Sequence, residues 1–152
     1  MTSNVPQDFE DILELLEKHK AKYLIIGGLA FTYHVKPRYT KDMDLWIDPS
    51  RENITRTNQA LGEFGSPFLL GMDRPEEILQ LGVAPNRIDI LKKVRGARFE
   101  TAWKRRIRAP FGKVQANWVD IDTLIRIKSR LEGPRHQEDL RLLREVKKAK
   151  KK

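Results

Sequence analysis

The chain has 152 residues, enough for one domain with a core of its own, and no cysteine, which excludes a disulfide framework, a thiolate nucleophile and a cysteine-bound zinc. Thirty lysines and arginines against 21 acids give a net charge of +9, which suits nucleotides, nucleic acid or acidic protein surfaces as partners. No run approaches the roughly 20 apolar residues of a membrane span, and the first twenty residues are acidic and amphipathic rather than basic and apolar, so a cytoplasmic protein with no membrane partner is expected.

In chain order, Asp8 is expected to cap a first helix whose stripe is Phe9, Ile12, Leu13, Leu15 and Leu16, ending near His19 and Lys20. Residues 23–28 (YLIIGG) predict a buried strand running into a tight turn, and residues 29–35 a short helix stopped by Pro37. Residues 41–48 (KDMDLWID) alternate acid and hydrophobe, the period of a strand with two unlike faces. Pro49 and Ser50 open a helix over 51–63, and the Gly- and Pro-containing stretch 65–75 reads as loop. EILQLGV and RIDILKKV, flanking Ala84-Pro85-Asn86, predict a β-hairpin. A short helix over 99–105 and two weak strands, RIRAP and KVQANWV, follow. Asp120 caps a helix to about Leu131, Gly133-Pro134 breaks it, and a last helix runs from Arg135 into the lysine tail. The expected class is α/β (α+β), a small mixed sheet flanked by helices, with a core over 1–119 and a C-terminal helical pair over 120–152.

The chemistry concentrates in three acids. Asp42 and Asp44, two apart on a strand, project from one face, while Met43 and Leu45 turn to the core. Adjacent carboxylates repel unless a cation neutralises them, and an oxygen-only donor set suits a hard ion such as Mg²⁺. Asp89, between hydrophobes in RIDIL, supplies a third acid on a second strand, the set a two-metal phosphoryl-transfer site requires. Alone, an acid pair at a strand end is commonly just solvated. Gly27 and Gly28 add context, because they let backbone approach a ligand at a helix N-terminus that attracts phosphate; a tight strand–helix turn also wants glycine.

The stretch IIGGLAFTYHVKPRYTKDMDLWID resembles the core motif of the DNA polymerase β-like nucleotidyltransferase superfamily, nearest its small minimal and toxin–antitoxin members. That pattern is a strand ending in Gly-Gly or Gly-Ser, a helix, and an acid-x-acid strand; here residues 29–41 lie between Gly28 and Asp42, and Arg38, Thr40, Asp42 and Asp44 give its R-x-T-x-D-x-D form. IKSRLEGPRHQEDL is similar to the family's helical ending through Lys128, Gly133, Arg135 and Asp139. The resemblance spans roughly 20–140 but is strong only in these islands. It implies the nucleotidyltransferase fold and Mg²⁺-dependent transfer of a nucleoside monophosphate from an NTP to an acceptor hydroxyl. Gly27, Gly28, Thr40, Lys128 and Arg135 would meet the triphosphate, and Asp42, Asp44 and Asp89 would hold two Mg²⁺ ions. Gly28 stands where larger members place a phosphate-contacting serine and offers only a backbone N–H.

Five of the positive charges sit in residues 147–152 (KKAKKK), which read as a solvated helix end. Lys92, Lys93, Arg95, Arg98, Lys104, Arg105, Arg106 and Arg108, interrupted by the single acid Glu100, suggest an RNA acceptor such as a tRNA end. The alternatives are a binding module of a toxin–antitoxin pair that takes an acidic protein partner, and a small-molecule transferase of the antibiotic-modifying type. Trp46, Trp103 and Trp118 read as core aromatics, with Trp103 able to stack on a base if exposed. His34 reads as packing or surface rather than catalysis.

Overall fold

The computed structural model describes residues 6–38, 42–83 and 86–150. Among these, twelve elements alternate as the hydrophobic periods require: α1 (Gln7–Lys18), β1 (Tyr23–Ile26), α2 (Gly27–His34), β2 (Asp42–Ile47), α3 (Arg51–Phe64), β3 (Ile78–Leu81), β4 (Arg87–Leu91), α4 (Phe99–Lys104), β5 (Ile107–Phe111), β6 (Val114–Trp118), α5 (Ile121–Ser129) and α6 (Pro134–Lys150). The six strands form one mixed sheet in the order β3-β4-β2-β1-β6-β5. β1 is antiparallel to β2, β2 parallel to β4, and β1 parallel to β6, while β3–β4 and β5–β6 are antiparallel hairpins.

Period-2 alternation sorts the strand residues to two faces. Met43, Leu45 and Ile47 of β2 join Tyr23 and Ile25 of β1 under α1 and α3, where Phe9, Ile12, Leu13 and Leu16 supply the α1 stripe. Trp46, Leu24 and Ile26 face the other way, into a second cluster with Phe31, Phe99, Leu124, Ile127 and Leu143. The C-terminal helices therefore share a core with the sheet. Asp42 and Asp44 lie on this second face, in phase with Trp46.

Local chemistry explains most boundaries. The Ser50 side chain accepts from the Asn53 N–H at 3.2 Å and Asp120 accepts from the Thr123 N–H at 3.3 Å, caps worth about 1 kcal/mol each. Three expectations need correction. Asp8 does not cap α1: the N-cap is Pro6, which makes no side-chain bond, and Asp8 sits in the first turn, where its charge complements the helix dipole. Gly27 and Gly28, expected as a tight turn between strand and helix, are the first two residues of α2 itself. Trp103 is not a core residue like Trp46 and Trp118, since it packs on the second cluster only partly buried. Of the residues named above, Ala84, Pro85 and Thr40 lie outside the described residues.

The joint of α2, α5 and α6 is ionic. Asp139 on α6, fully buried, accepts from Lys128 Nζ on α5 at 2.9 Å and from both terminal nitrogens of Arg38, which follows α2. Burial pushes the Asp139 carboxyl up, but the hydrogen bonds from Arg38 and then Lys128 outweigh it and hold it at about 2. Removing one partner of a buried pair strands the other charges, so Asp139→Ala is expected to cost about 3–5 kcal/mol in urea unfolding.

Candidate functional site

The site is set by strand register. Parallel pairing of β2 with β4 aligns Asp44 with Asp89 and Asp42 with Arg87. The same rule that puts Asp42 and Asp44 on one face puts Arg87 and Asp89 on it too. One ligand oxygen from each of Asp42, Asp44 and Asp89 lies within 4.8 Å of the others. Arg87 Nη2 donates to Asp42 Oδ2 at 2.5 Å, and Arg87 Nε sits 3.2 Å from Asp89 Oδ1. That last contact is misaligned for a hydrogen bond, and Asp89 Oδ1 is buried without a donor.

One guanidinium against three carboxylates leaves the cluster short of positive charge. Burial, then the neighbouring Asp42 and Asp89 charges, push the Asp44 carboxyl up to about 7. Asp89 is also raised, by burial against the opposing pull of Arg87. Gly27 closes the cluster from the side. Its φ is +71°, and a Cβ there would meet Asp44 Oδ2 at 2.4 Å. The glycine requirement at this position is thus set by the carboxylate as well as by the turn.

The acids open on a cleft of about 450 Å³. Gly27, Gly28, Asp42 and Asp44 form one end. Arg38, Lys93, Arg95, Lys128 and Arg135 bring cations to the remainder, and Leu91, Val94, Leu124, Ile127 and Leu131 make it apolar between them. The loop carrying Lys93 to Arg95 is drawn onto α5 by Gly96, where φ is +92° and a Cβ would meet the Arg126 carbonyl oxygen at 2.6 Å. A cleft with an apolar wall, convergent cations and an acidic end matches a small ligand with a ring and a polyanionic tail.

Of the residues singled out in the sequence, Gly27, Gly28, Asp42, Asp44, Lys128 and Arg135 line this one cleft. Asp89 packs beside the other two acids but not on the cleft wall. Arg38 reaches the cleft through its bond to Asp139, and His136 lines it 3.4 Å from Lys128 Nζ. Sequence reasoning missed Arg87, although its place two residues before Asp89 is the signal. It missed the apolar wall because the residues come from β4, the following loop and α5.

The basic cluster after Asp89 does not form one surface, and Lys92 is the clear correction. Its side chain is 1% exposed, ion-paired with Glu77 at 2.9 Å and bonded to the Gly71 and Arg74 carbonyls. It braces the 71–77 loop and is closed to any partner. Arg105 is tied to Asp120 and Asp122, and Arg108 to Glu17 and Asn117. Lys93 and Arg95 turn to the cleft instead. His34 is buried, its Nε2 at 2.7 Å from the Val119 carbonyl oxygen, a packing role. No helix among the described residues is long and apolar enough to cross a membrane.

No protein-family model and no curated protein matches this sequence.

Two outcomes are expected. Gly27→Ala combines positive φ with a clash on Asp44 and should lower stability by about 1–3 kcal/mol in urea melts. The second concerns pH. The unfolded chain gives up the Asp44 proton near 4 and the folded chain near 7, so between these values the native state holds more proton and this group's contribution to stability falls as pH rises. Asp44→Asn should flatten the pH dependence of the unfolding free energy over that window; an unchanged slope would show that Asp44 does not titrate as described.

Proposed function

We propose that the cleft binds a nucleoside triphosphate with Mg²⁺ and transfers its nucleoside monophosphate to an acceptor hydroxyl, releasing pyrophosphate, on a nucleotidyltransferase fold. The observation that carries this reading is the three-carboxylate cluster whose Asp42 and Asp44 form one end of a cleft that is otherwise cationic and apolar. The residues suit the metal. Three oxygen donors are hard ligands, Asp89 Oδ1 is buried without a donor, and three carboxylates against one guanidinium leave two negative charges for a dication to balance. Asp42, Asp44 and Asp89 would hold Mg²⁺, which supplies positive charge against the reacting phosphate when bound.

The chain's own groups do the rest. The first-turn N–H groups of α2 at Gly27 and Gly28 face the phosphates, the end of a helix that favours negative charge. Lys128 and Arg38, held by Asp139, and Arg135 carry fixed positive charge towards the departing pyrophosphate. Leu91, Val94, Leu124 and Ile127 exclude water and pack a base. A carboxylate on the cleft wall, Asp42 or Asp44, takes the proton of the acceptor hydroxyl as the new oxygen–phosphorus bond forms and the bond to pyrophosphate breaks.

A binding module without turnover is the second reading, and one observation favours it: the Arg87 guanidinium bonds Asp42 and lies 3.2 Å from Asp89, so the acids have an internal counter-ion. Incubation with each α-labelled NTP, Mg²⁺ and total cellular RNA or protein separates the two. Transfer of label by the native chain, abolished in Asp42→Ala/Asp44→Ala, is expected. Absence of transfer to any acceptor, with calorimetry still detecting NTP, would replace the transferase by the binding module.

A further inference from the structure

At the opposite end of β1 from the cleft lies a second groove of about 290 Å³, lined by Glu17, Lys20, Lys22, Trp103, Arg106 and Arg108. Two features set it apart from ordinary basic surface. The first is a stack that runs from the core to solvent. Trp46 meets Phe99 edge-on at 5.3 Å, Phe99 lies near-parallel to Trp103 at 5.8 Å, and the Arg106 guanidinium caps Trp103 with its carbon 3.9 Å from the ring centre. A bond of 2.8 Å from Arg106 Nη1 to the Trp103 carbonyl holds the guanidinium over the ring. Lys22 Nζ lies 5.7 Å from the same ring.

The second feature is charge. Glu17, the one acid of the groove, accepts from the Tyr23 hydroxyl at 2.6 Å and from Arg108 at 2.9 Å. Lys20, Lys22 and Arg106 have no ion pair among the described residues and lie exposed around the ring. Lys20 follows the C-cap of α1 with φ +57°, a left-handed residue at the turn into β1, which sets Lys20 and Lys22 on the groove's rim. Planar guanidinium on indole is a surface a nucleobase stacks on, and unpaired cations beside it suit the flanking phosphates. An acidic peptide would use the charges but leave the flat stack idle.

We propose that this groove binds single-stranded nucleic acid, with a base stacked on the Arg106–Trp103 pair and the backbone phosphates on Lys20 and Lys22. The proposal stands whether or not the cleft is a transferase site. It is tested with the full chain by fluorescence anisotropy of labelled oligouridylate and oligoadenylate, their deoxy counterparts, and polyglutamate as a probe of charge alone. Oligonucleotide binding is expected to quench tryptophan emission, and the quench to disappear in Trp103→Phe. Lys20→Glu/Lys22→Glu, two exposed positions whose circular dichroism should be unchanged, is expected to weaken binding at least tenfold. It should also reduce the slope of log affinity against log salt by about 1.4, roughly 0.7 per phosphate contact on a single strand. Preference for the ribo- or the deoxy-strand, or equal binding of both, supports the proposal and identifies the strand. Absence of oligonucleotide binding at low salt, unchanged binding by the double variant, or polyglutamate binding as tightly as the oligonucleotides would overturn it.

Discussion

The parallel ladder between β2 and β4 is the constraint on which the site depends. Its register sets Asp44 opposite Asp89 and leaves Asp42 and Arg87 side by side, so like charges gather wherever the sheet forms. Burial of Met43, Leu45, Ile88 and Ile90 drives that pairing. A slip of one residue would send the carboxylates into the apolar layer under α1 and α3. The hydrophobic free energy of the sheet thus holds together groups that electrostatics alone would separate. Part of that repulsion is relieved by Arg87 and part by the proton that Asp44 keeps up to about 7.

The C-terminal helices complete what the sheet begins. α5 supplies Leu124, Ile127 and Lys128 to the cleft, and α6 supplies Arg135 and His136. Asp139 binds both Lys128 and Arg38, which fixes two cations near the acids without placing a further carboxylate on the cleft wall. Gly96 performs a mechanical task of the same kind, since only a residue without a side chain lets the Lys93–Arg95 loop lie against the Arg126 carbonyl.

Much of this is legible in the sequence because it follows from short-range periods. Alternation in DMDLWI separates acids from core residues, Ser50 and Asp120 mark helix starts, and the hydrophobes around Asp89 declare its strand. The rest depends on contacts distant in sequence. Lys92 sits in a run of basic residues yet lies buried, because Glu77 and two loop carbonyls return to meet it. Arg38 finds Asp139 across 101 positions. That Gly27 is required by the Asp44 carboxylate follows from the β1–β2 register, which places Ile26 beside Asp44. Charge counted along a chain gives the total; only the fold says which cations remain available.

The central claim is that Asp42, Asp44 and Asp89 form a divalent-cation site whose internal counter-ion is Arg87. Titration of the protein with Mn²⁺, followed by the loss of the free-ion electron paramagnetic resonance signal at pH 8, tests it most directly. Saturable binding by the native chain is expected, with loss of affinity in Asp44→Asn and tighter binding in Arg87→Gln, where the competing guanidinium is gone. Equal Mn²⁺ uptake by the native chain and Asp44→Asn, or none by either, would contradict the claim.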